Sequence, residues 1–343
     1  CGLVPNYHSI SDFRKCNPAG LRQLFKLFVS FLKDADLIAG ETIAIDGTKS
    51  RAHNSKKANF SQKKIDKHLA YIEEKTQQYL DQIEQNDTQE NNTSITNIQA
   101  KIERLKTNKI NYDLLAEKLK ASGEPQISTT DQDARALLVQ GVVVEVSYNI
   151  QAAVDNKHNL VVATHTINRN DLNALGTIAL EAKENLGVAT FTVLVDKGYH
   201  NGREIDQCKN HNITTIVAHP TPGRSKESAT QPEYLVAQFQ YNKSEDTYTC
   251  PQGEILKTTG RWHKKSGRTE QSGYQFKKYR TPACKDCPVK HLCTARPAGR
   301  EIDRSEYADA VEENNKRYQE NPQLYRTRQE INEHIFGTIK RQW

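Results

Sequence analysis

The stretch FTVLVDKGYHNGREI, residues 191–205, runs five uncharged residues straight into Asp196 and then breaks on Lys197-Gly198. A short apolar run bounded by turn residues reads as a buried strand, and the helical pattern over about 202–211 makes it part of an alternating α/β order. In such sheets the ligand crevice opens beyond the C-terminal strand ends, so a carboxylate there is placed for chemistry. The segment ETIAIDGTKS, residues 41–50, has the same construction: Ile43 and Ile45 alternate, then Asp46-Gly47 closes the run. A third acid, Glu333, lies in the helical pattern of 326–342. Read alone, each aspartate is a common turn residue. Together, two strand-end aspartates and a helical glutamate suit a site that holds divalent metal for phosphoryl transfer.

The segments IAIDGTK (43–49), VDKGYHNGREI (195–205) and YRTRQEINEHIFGTIKR (325–341), in that order, resemble the DDE transposases of bacterial insertion sequences, whose catalytic core is RNase H-like. PNYHSISDFRK (5–15), ISTTDQDAR (127–135) and YNIQAAVD (148–155) also look like this family, so the resemblance covers nearly the whole chain. It implies that Asp46, Asp196 and Glu333 are the three metal-binding acids. Tyr325, Arg328, Glu333 and Lys340 match the tyrosine–arginine–glutamate–lysine signature around the third acid. The implied cofactor is Mg²⁺ or Mn²⁺. The implied partners are DNA, as element ends and target, and a second copy of the chain during transposition.

The chain has 343 residues, enough for one large domain or two ordinary ones. Hydrophobic residues make up 36% and charged residues 26%, which predicts a modest core with long solvated insertions. No run is apolar for long enough to span a bilayer, and the start lacks the basic lead and small-residue cleavage pattern of a signal peptide. A cytoplasmic location without a membrane partner is the expectation. There is no methionine, even at position 1, and the helical pattern runs into Trp343 without a Gly, Asn or Pro stop, so the chain reads as a fragment lacking both ends.

Net charge is +6, and its distribution is uneven. Residues 255–300 carry twelve Lys and Arg against two acids, Glu270 and Asp286, with Trp262, Tyr274, Phe276 and Tyr279 interleaved. Phosphate neutralisation dominates non-specific nucleic-acid affinity, and exposed aromatics stack on unpaired bases. Lys264, Lys265 and Arg268 are therefore candidate DNA contacts. The alternative is a solvated basic β region whose aromatics pack its own small core.

The order along the chain predicts an α/β protein: an RNase H-like mixed sheet flanked by helices, with one helical and one β-rich insertion. Residues 1–38 read as the end of an N-terminal helical region, with Asn17-Pro18 as cap and first turn and an apolar stripe at Leu21, Leu24, Phe25, Phe28, Phe31 and Leu32. The core comprises 39–59 and 123–218, with strands at about 41–46 and 191–195, a hairpin turning at Asp155-Asn156-Lys157, a helix at about 171–186 and a last strand in ITTIVA. Residues 60–122 form a helical hairpin, a structural arm or a dimerisation arm. Residues 219–300 form a basic β-rich insertion with a cysteine cluster, and 301–343 the C-terminal catalytic helix region.

On that last helix Glu333, Gly337 and Lys340 share a face, and a mid-helix glycine, which costs about 1 kcal/mol relative to alanine, would let DNA backbone approach. Lys340, Arg328 and Tyr325 are expected at the DNA. Glu330 lies three residues before Glu333 and competes with it as third acid. Asp131, Asp133 and Arg135 read as a structural capping cluster. Cys250, Cys284, Cys287 and Cys293 could make a tetrahedral structural zinc site, with reduced, packed thiols as the alternative. No persuasive Ser or Cys nucleophile motif is present, which fits chemistry without a covalent enzyme intermediate. The alternatives to a transposase are a metal-dependent nuclease of the same fold without strand joining, and a catalytically inactive DNA-binding protein.

Overall fold

The chain enters its first sheet through two helices, α1 (Tyr7–Cys16) and α2 (Pro18–Asp34), followed by strand β1 (Thr42–Arg51). The structure, a computed structural model, describes residues 4–52, 56–86, 92–139, 143–220, 230–265 and 273–342. Strand β2 (Asn59–Ser61) leads into two long helices, α3 (Gln62–Asn86) and α4 (Asn92–Ser122). Strands β3 (Gln126–Ser128), β4 (Arg135–Val139), β5 (Val143–Asp155) and β6 (Val161–Ile167) follow, then the alternation α5 (Leu175–Leu186), β7 (Phe191–Val195), α6 (Gly202–Asn210), β8 (Ile213–Val217). Strands β9 (Gln240–Asn242), β10 (Thr247–Thr249), β11 (Ile255–Lys265), β12 (Tyr274–Arg280) and β13 (Ile302–Ser305) come next, with the one-turn helix α7 (Lys290–Cys293) before the last of them. Helices α8 (Ala308–Glu320) and α9 (Pro322–Gln342) complete the order.

The chain divides into two compact units. The first comprises Cys1–Asp46, Ala152–Ala163 and Leu172–Trp343, so that β1 is divided after Asp46. Its strands lie in the order β5-β1-β7-β8, with β1, β7 and β8 parallel. Ile43, Ala44, Ile45, Val193, Leu194 and Val195 are fully buried, as a strand covered on both faces requires. Asp155 is also fully buried, and its carboxylate accepts from the N–H groups of Gly40 (2.8 Å), Lys157 (2.9 Å) and Ala39 (3.2 Å). That acid is a backbone clamp at the entry to β1, with Gly40 at a positive φ of 72°. Helix α2 packs on α5, α5 on α6, α6 on α8, α8 on β8 and α9 on β7.

Two expectations for the N-terminal helices change. Asn17-Pro18 does start α2, but the Asn17 side chain donates back to the Phe13 carbonyl (2.8 Å) and makes no cap bond to α2. On α2 only Val29 is buried, while Leu24, Phe28 and Phe31 of the expected stripe are exposed.

The same unit carries an antiparallel five-stranded sheet in the order β13-β12-β11-β10-β9. The β insertion therefore takes its last strand from beyond residue 300. Phe239, Tyr248, Leu256, Tyr279 and Ile302 make its core. The second unit comprises Gly47–Gln151 and Thr164–Asp171. There α3 and α4 form the expected hairpin, with Ile65, Ile72, Ile98, Ile102 and Leu119 buried. Strands β2 and β3 pair with each other, as do β4 and β5, both antiparallel. Asp131 caps as expected: its Oδ1 accepts from the Ala134 N–H (3.3 Å) and the Tyr148 hydroxyl (2.6 Å).

Edge strand β8 is clamped by one side chain of α8. Asn314 is fully buried; it donates to the Val217 carbonyl (3.0 Å) and accepts from the Val217 N–H (2.9 Å). Arg317 adds a bond from Nε to the Thr215 carbonyl (3.0 Å). Asn314→Ala leaves a buried donor and a buried acceptor unpaired, so it is expected to lower unfolding free energy by about 2–4 kcal/mol. A urea melt checks this; a loss below about 0.5 kcal/mol would mean that the clamp is not holding the strand.

Candidate active site

The parallel pairing of β1 with β7 sets Ala44 opposite Leu194 and Ile45 opposite Val195. The next residue on each strand is an aspartate, so Asp46 and Asp196 stand side by side. Side chains alternate across a strand, so both carboxylates project from the face that also carries Ala44 and Leu194. β7 ends there, whereas β1 runs on to Arg51, so Asp46 lies inside its strand and not at its end. Asp196 opens a single 3-10 turn, Lys197–Tyr199, and its Oδ1 accepts from the Lys197 N–H at 2.7 Å. That turn role leaves further acceptor positions on the carboxylate, which has several.

Helix α9 brings two more residues to this place. Arg328 is buried, and its Nη1 donates to Asp46 Oδ2 at 3.4 Å. The guanidinium lies 5.7 Å from the centre of the Tyr325 ring, which stands edge-on to Tyr318 at 4.8 Å. Burial, above all, raises the pKa of the Tyr325 hydroxyl; the Asp196 charge adds to the rise and Arg328 opposes it. Asp46, Asp196, Tyr325 and Arg328 thus form one cluster. Arg328, expected at DNA phosphate, is turned onto an aspartate.

Glu333 is not gathered with them. It is exposed and lines a shallow groove with His334, Gly337, Thr338 and Arg341. Glu330 and Lys340 are exposed as well, and a Cβ at Gly337 would meet open space. Among the described residues no three His, Cys, Asp or Glu side chains are gathered so as to hold a metal ion. The residue that the sequence reading missed on this helix is Asn332. It is 1% exposed, and neither its Oδ1 nor its Nδ2 has a partner. Its signal lay in the spacing, since Tyr325, Arg328 and Asn332 recur at i, i+3 and i+7 on one helical face.

Residues 249–343 match the family described as Transposase DDE domain. The C-terminal part of the chain is thus similar to a transposase DDE domain. No curated protein and no solved structure matches the chain. The matched range holds Tyr325, Arg328, Glu333 and Lys340 together with β11 to β13. The aspartates of β1 and β7 lie outside it. A domain of that family implies a nucleic-acid-processing enzyme with DNA as its partner. No helix among the described residues is long and apolar enough to cross a membrane.

In the transposase domain the basic β sheet is less free to bind than its composition suggests. Lys277 pairs with Asp246 (2.7 Å), and Lys278 (2.8 Å), Arg280 (2.5 Å) and Arg296 (3.2 Å) all pair with Glu301. Both acids lie outside the 255–300 window. Tyr279 is fully buried in the sheet's core, so it packs and cannot stack on a base. Trp262 is 46% exposed with the Lys277 ammonium 5.2 Å from its ring, and Lys264 and Lys265 are exposed on the same strand. Arg268 lies outside the described residues. The four cysteines of the cluster are free thiols; Cys250 and Cys293 pack against the core of this sheet. The Cys293 thiol is pushed up mainly by burial, with Cys284, Cys250 and Cys287 adding to it. The four thiols thus lie near enough to one another for the other three to act on Cys293.

The second unit has a polar cluster that the sequence did not reveal. A Cβ at Gly47 would collide with Gln151 Nε2 and stand 2.7 Å from both Asn149 Oδ1 and Asp171 Oδ1. Asn149 (2.7 Å) and Gln151 (2.9 Å) donate to Asp171, which also faces Lys49 at 3.5 Å. Here glycine is required by close approach of side chains and not by its φ.

Asp246 provides a test of the sheet. Burial would raise its carboxyl, but bonds from Lys277, Tyr279 and Tyr241 outweigh this and lower it from 3.8 to about 2. A carboxyl depressed in the folded state contributes stability above its unfolded pKa and loses it as pH falls through the folded value. Asp246→Asn should therefore flatten the acid side of the stability profile between about pH 4 and pH 2, measured by thermal melts across that range. An acid limb as steep as that of the parent protein would contradict the network.

Proposed function

We propose that this chain catalyses divalent-metal-dependent phosphoryl transfer on DNA, cutting a strand at an element end and joining it to target DNA, on an RNase H-like core. The observation that carries the reading is the register of β1 on β7, which sets Asp46 beside Asp196, with Arg328 of the transposase domain against Asp46. Two adjacent carboxylates and a nearby orphaned carboxamide are hard oxygen donors, the kind that Mg²⁺ or Mn²⁺ takes while keeping several waters. The fit is therefore good for such a cation and poor for a thiolate-seeking one. Asp46 and Asp196 would hold the cation, and Glu333 joins them as third acid through its match to the family signature. When bound, the metal supplies an activated water or 3′-hydroxyl and charge stabilisation on the leaving oxygen.

The chain's own residues do the rest. Arg328 balances and orients the Asp46 carboxylate, and the half-buried Tyr325 ring, 5.7 Å from the Arg328 guanidinium, keeps water from that side. Lys340 and the exposed Lys264 and Lys265, with Arg268, meet phosphates along the duplex. Two element ends must be held together for joining, so the working assembly is a homodimer, with the α3–α4 hairpin as its arm.

The decisive assay uses a labelled duplex spanning the end of the element that encodes the protein, with Mg²⁺ or Mn²⁺ and a target plasmid. Joined product supports transposition; cleavage without joining would reduce the reading to a nuclease. Glu333→Gln should lower cleavage by about 100-fold or more while folding and DNA affinity persist, because one charge is lost at nearly constant volume. If Glu333→Gln cuts normally and Glu330→Gln does not, the third acid is Glu330. Replacing Lys264 and Lys265 with alanine should weaken DNA binding and reduce the slope of log K against log salt by roughly one unit per lost phosphate contact. An unchanged slope returns that strand to ordinary solvated surface.

A further inference from the structure

The helix that carries the third acid also buries an amide with nothing to bond. Asn332 is 1% exposed, and both ends of its side chain lack a partner. An unpaired buried amide costs on the order of 1–3 kcal/mol per group, so such a residue calls for an occupant. Its position can be fixed from its neighbours. Arg328, one turn earlier on the same face, reaches Asp46 on β1. Ile331 and Phe336 pack with Ala44 of β1 and with Ala152 and Val154 of β5. Ala44 and Asp46 are two residues apart and share one face of the strand. Four residues of helix rise about 6 Å, so Asn332 stands about that far along the axis from Arg328, at the level of Ile331 and Phe336 and facing the sheet beside Ala44. Glu333, one residue on, is rotated by about 100° and faces out.

We propose that Asn332 contacts the ligand of the phosphoryl-transfer site, its carboxamide serving the hydration shell of a divalent cation held by Asp46 and Asp196. The inference rests on the proposed function and adds a residue to it. A carboxamide suits the place because it offers both polarities at no net charge. Its oxygen serves the cation or a water bound to it, and its NH₂ can donate to a carboxylate or a phosphate oxygen. An aspartate there would add a third negative charge next to the pair already present. A leucine would satisfy the burial and none of the chemistry.

The test measures Mn²⁺ binding to the full chain by the paramagnetic signal of the free ion, with thermal melts with and without Mn²⁺. Without metal, Asn332→Leu should melt at or above the parent temperature, because an unsatisfied amide is removed. With Mn²⁺ it should bind about 10-fold or more weakly and lose the metal-dependent rise in melting temperature. Asn332→Asp, which keeps the shape, should bind Mn²⁺ several-fold more tightly. Asp46→Asn is the control. If Asp46→Asn loses Mn²⁺ binding while Asn332→Leu and Asn332→Asp bind as the parent does, the amide merely holds an internal water and this inference fails alone. If Asp46→Asn also binds Mn²⁺ as the parent does, the proposed site falls and the inference with it.

Discussion

The parallel register between β1 and β7 is the constraint on which the candidate site depends. Pairing Ile45 with Val195 places two aspartates, 150 positions apart in sequence, next to one another on one face. A slip of one residue would turn one of them to the opposite face, because side chains alternate with period two. The register is held by burial and not by the acids. Ile43, Ile45, Val193 and Val195 are fully enclosed, and any shift would bring a charge into their layer. Asp155 adds a fixed point at the other end of β1, where its buried carboxylate binds the backbone N–H groups of Ala39 and Gly40.

The second half of the site is delivered by helices that are themselves tied down by buried polar groups. Asn314 fastens α8 to β8. Arg304, 7% exposed, bonds Tyr248 of the β sheet (2.9 Å), pairs with Asp309 and Glu312 of α8, and lies over the Tyr241 ring at 3.7 Å. Helix α9 follows α8 across a single residue, so its inner face is aimed by these bonds. That face carries Tyr325, Arg328 and Asn332 toward the strands. The ion pair of Arg328 with Asp46 has a plain electrostatic sense: it offsets the charge of closely placed carboxylates when no cation does so.

Charge in the transposase domain shows how tertiary structure revises composition. Twelve basic residues in 255–300 suggest a strongly cationic surface. Four of them are neutralised by Asp246 and Glu301, which stand just outside that window and are brought in by strand pairing. Lys257, Arg261, Lys264 and Lys265 of β11 remain exposed. The interleaved aromatics divide likewise, with Tyr279 in the core and Trp262 at the surface under a lysine.

The sequence alone determined the elements with strong periodicity and the two aspartates. The strands carrying Asp46 and leading to Asp196, the β5–β6 hairpin, the α3–α4 pair and the helical end of the chain were legible, because local patterns of burial repeat every 2 or 3.6 residues, while the run of β1 past Asp46 to Arg51 was not. The transposase signature at Tyr325, Arg328, Glu333 and Lys340 was legible for the same reason, as a fixed spacing along one helix. Which face of that helix meets the sheet was not. Spacing constrains neighbours on a helix but not its rotation about its own axis, which packing of Ile331 and Phe336 on Ala44 decided. The tertiary structure therefore put Asn332 inside and Glu333 outside, and turned Arg328 onto Asp46. It also gave Gly47 its reason, a crowd of side chains from β5 and Asp171 that no local pattern announces. Contacts between residues far apart in sequence leave no periodic trace, and these are the contacts that compose the site.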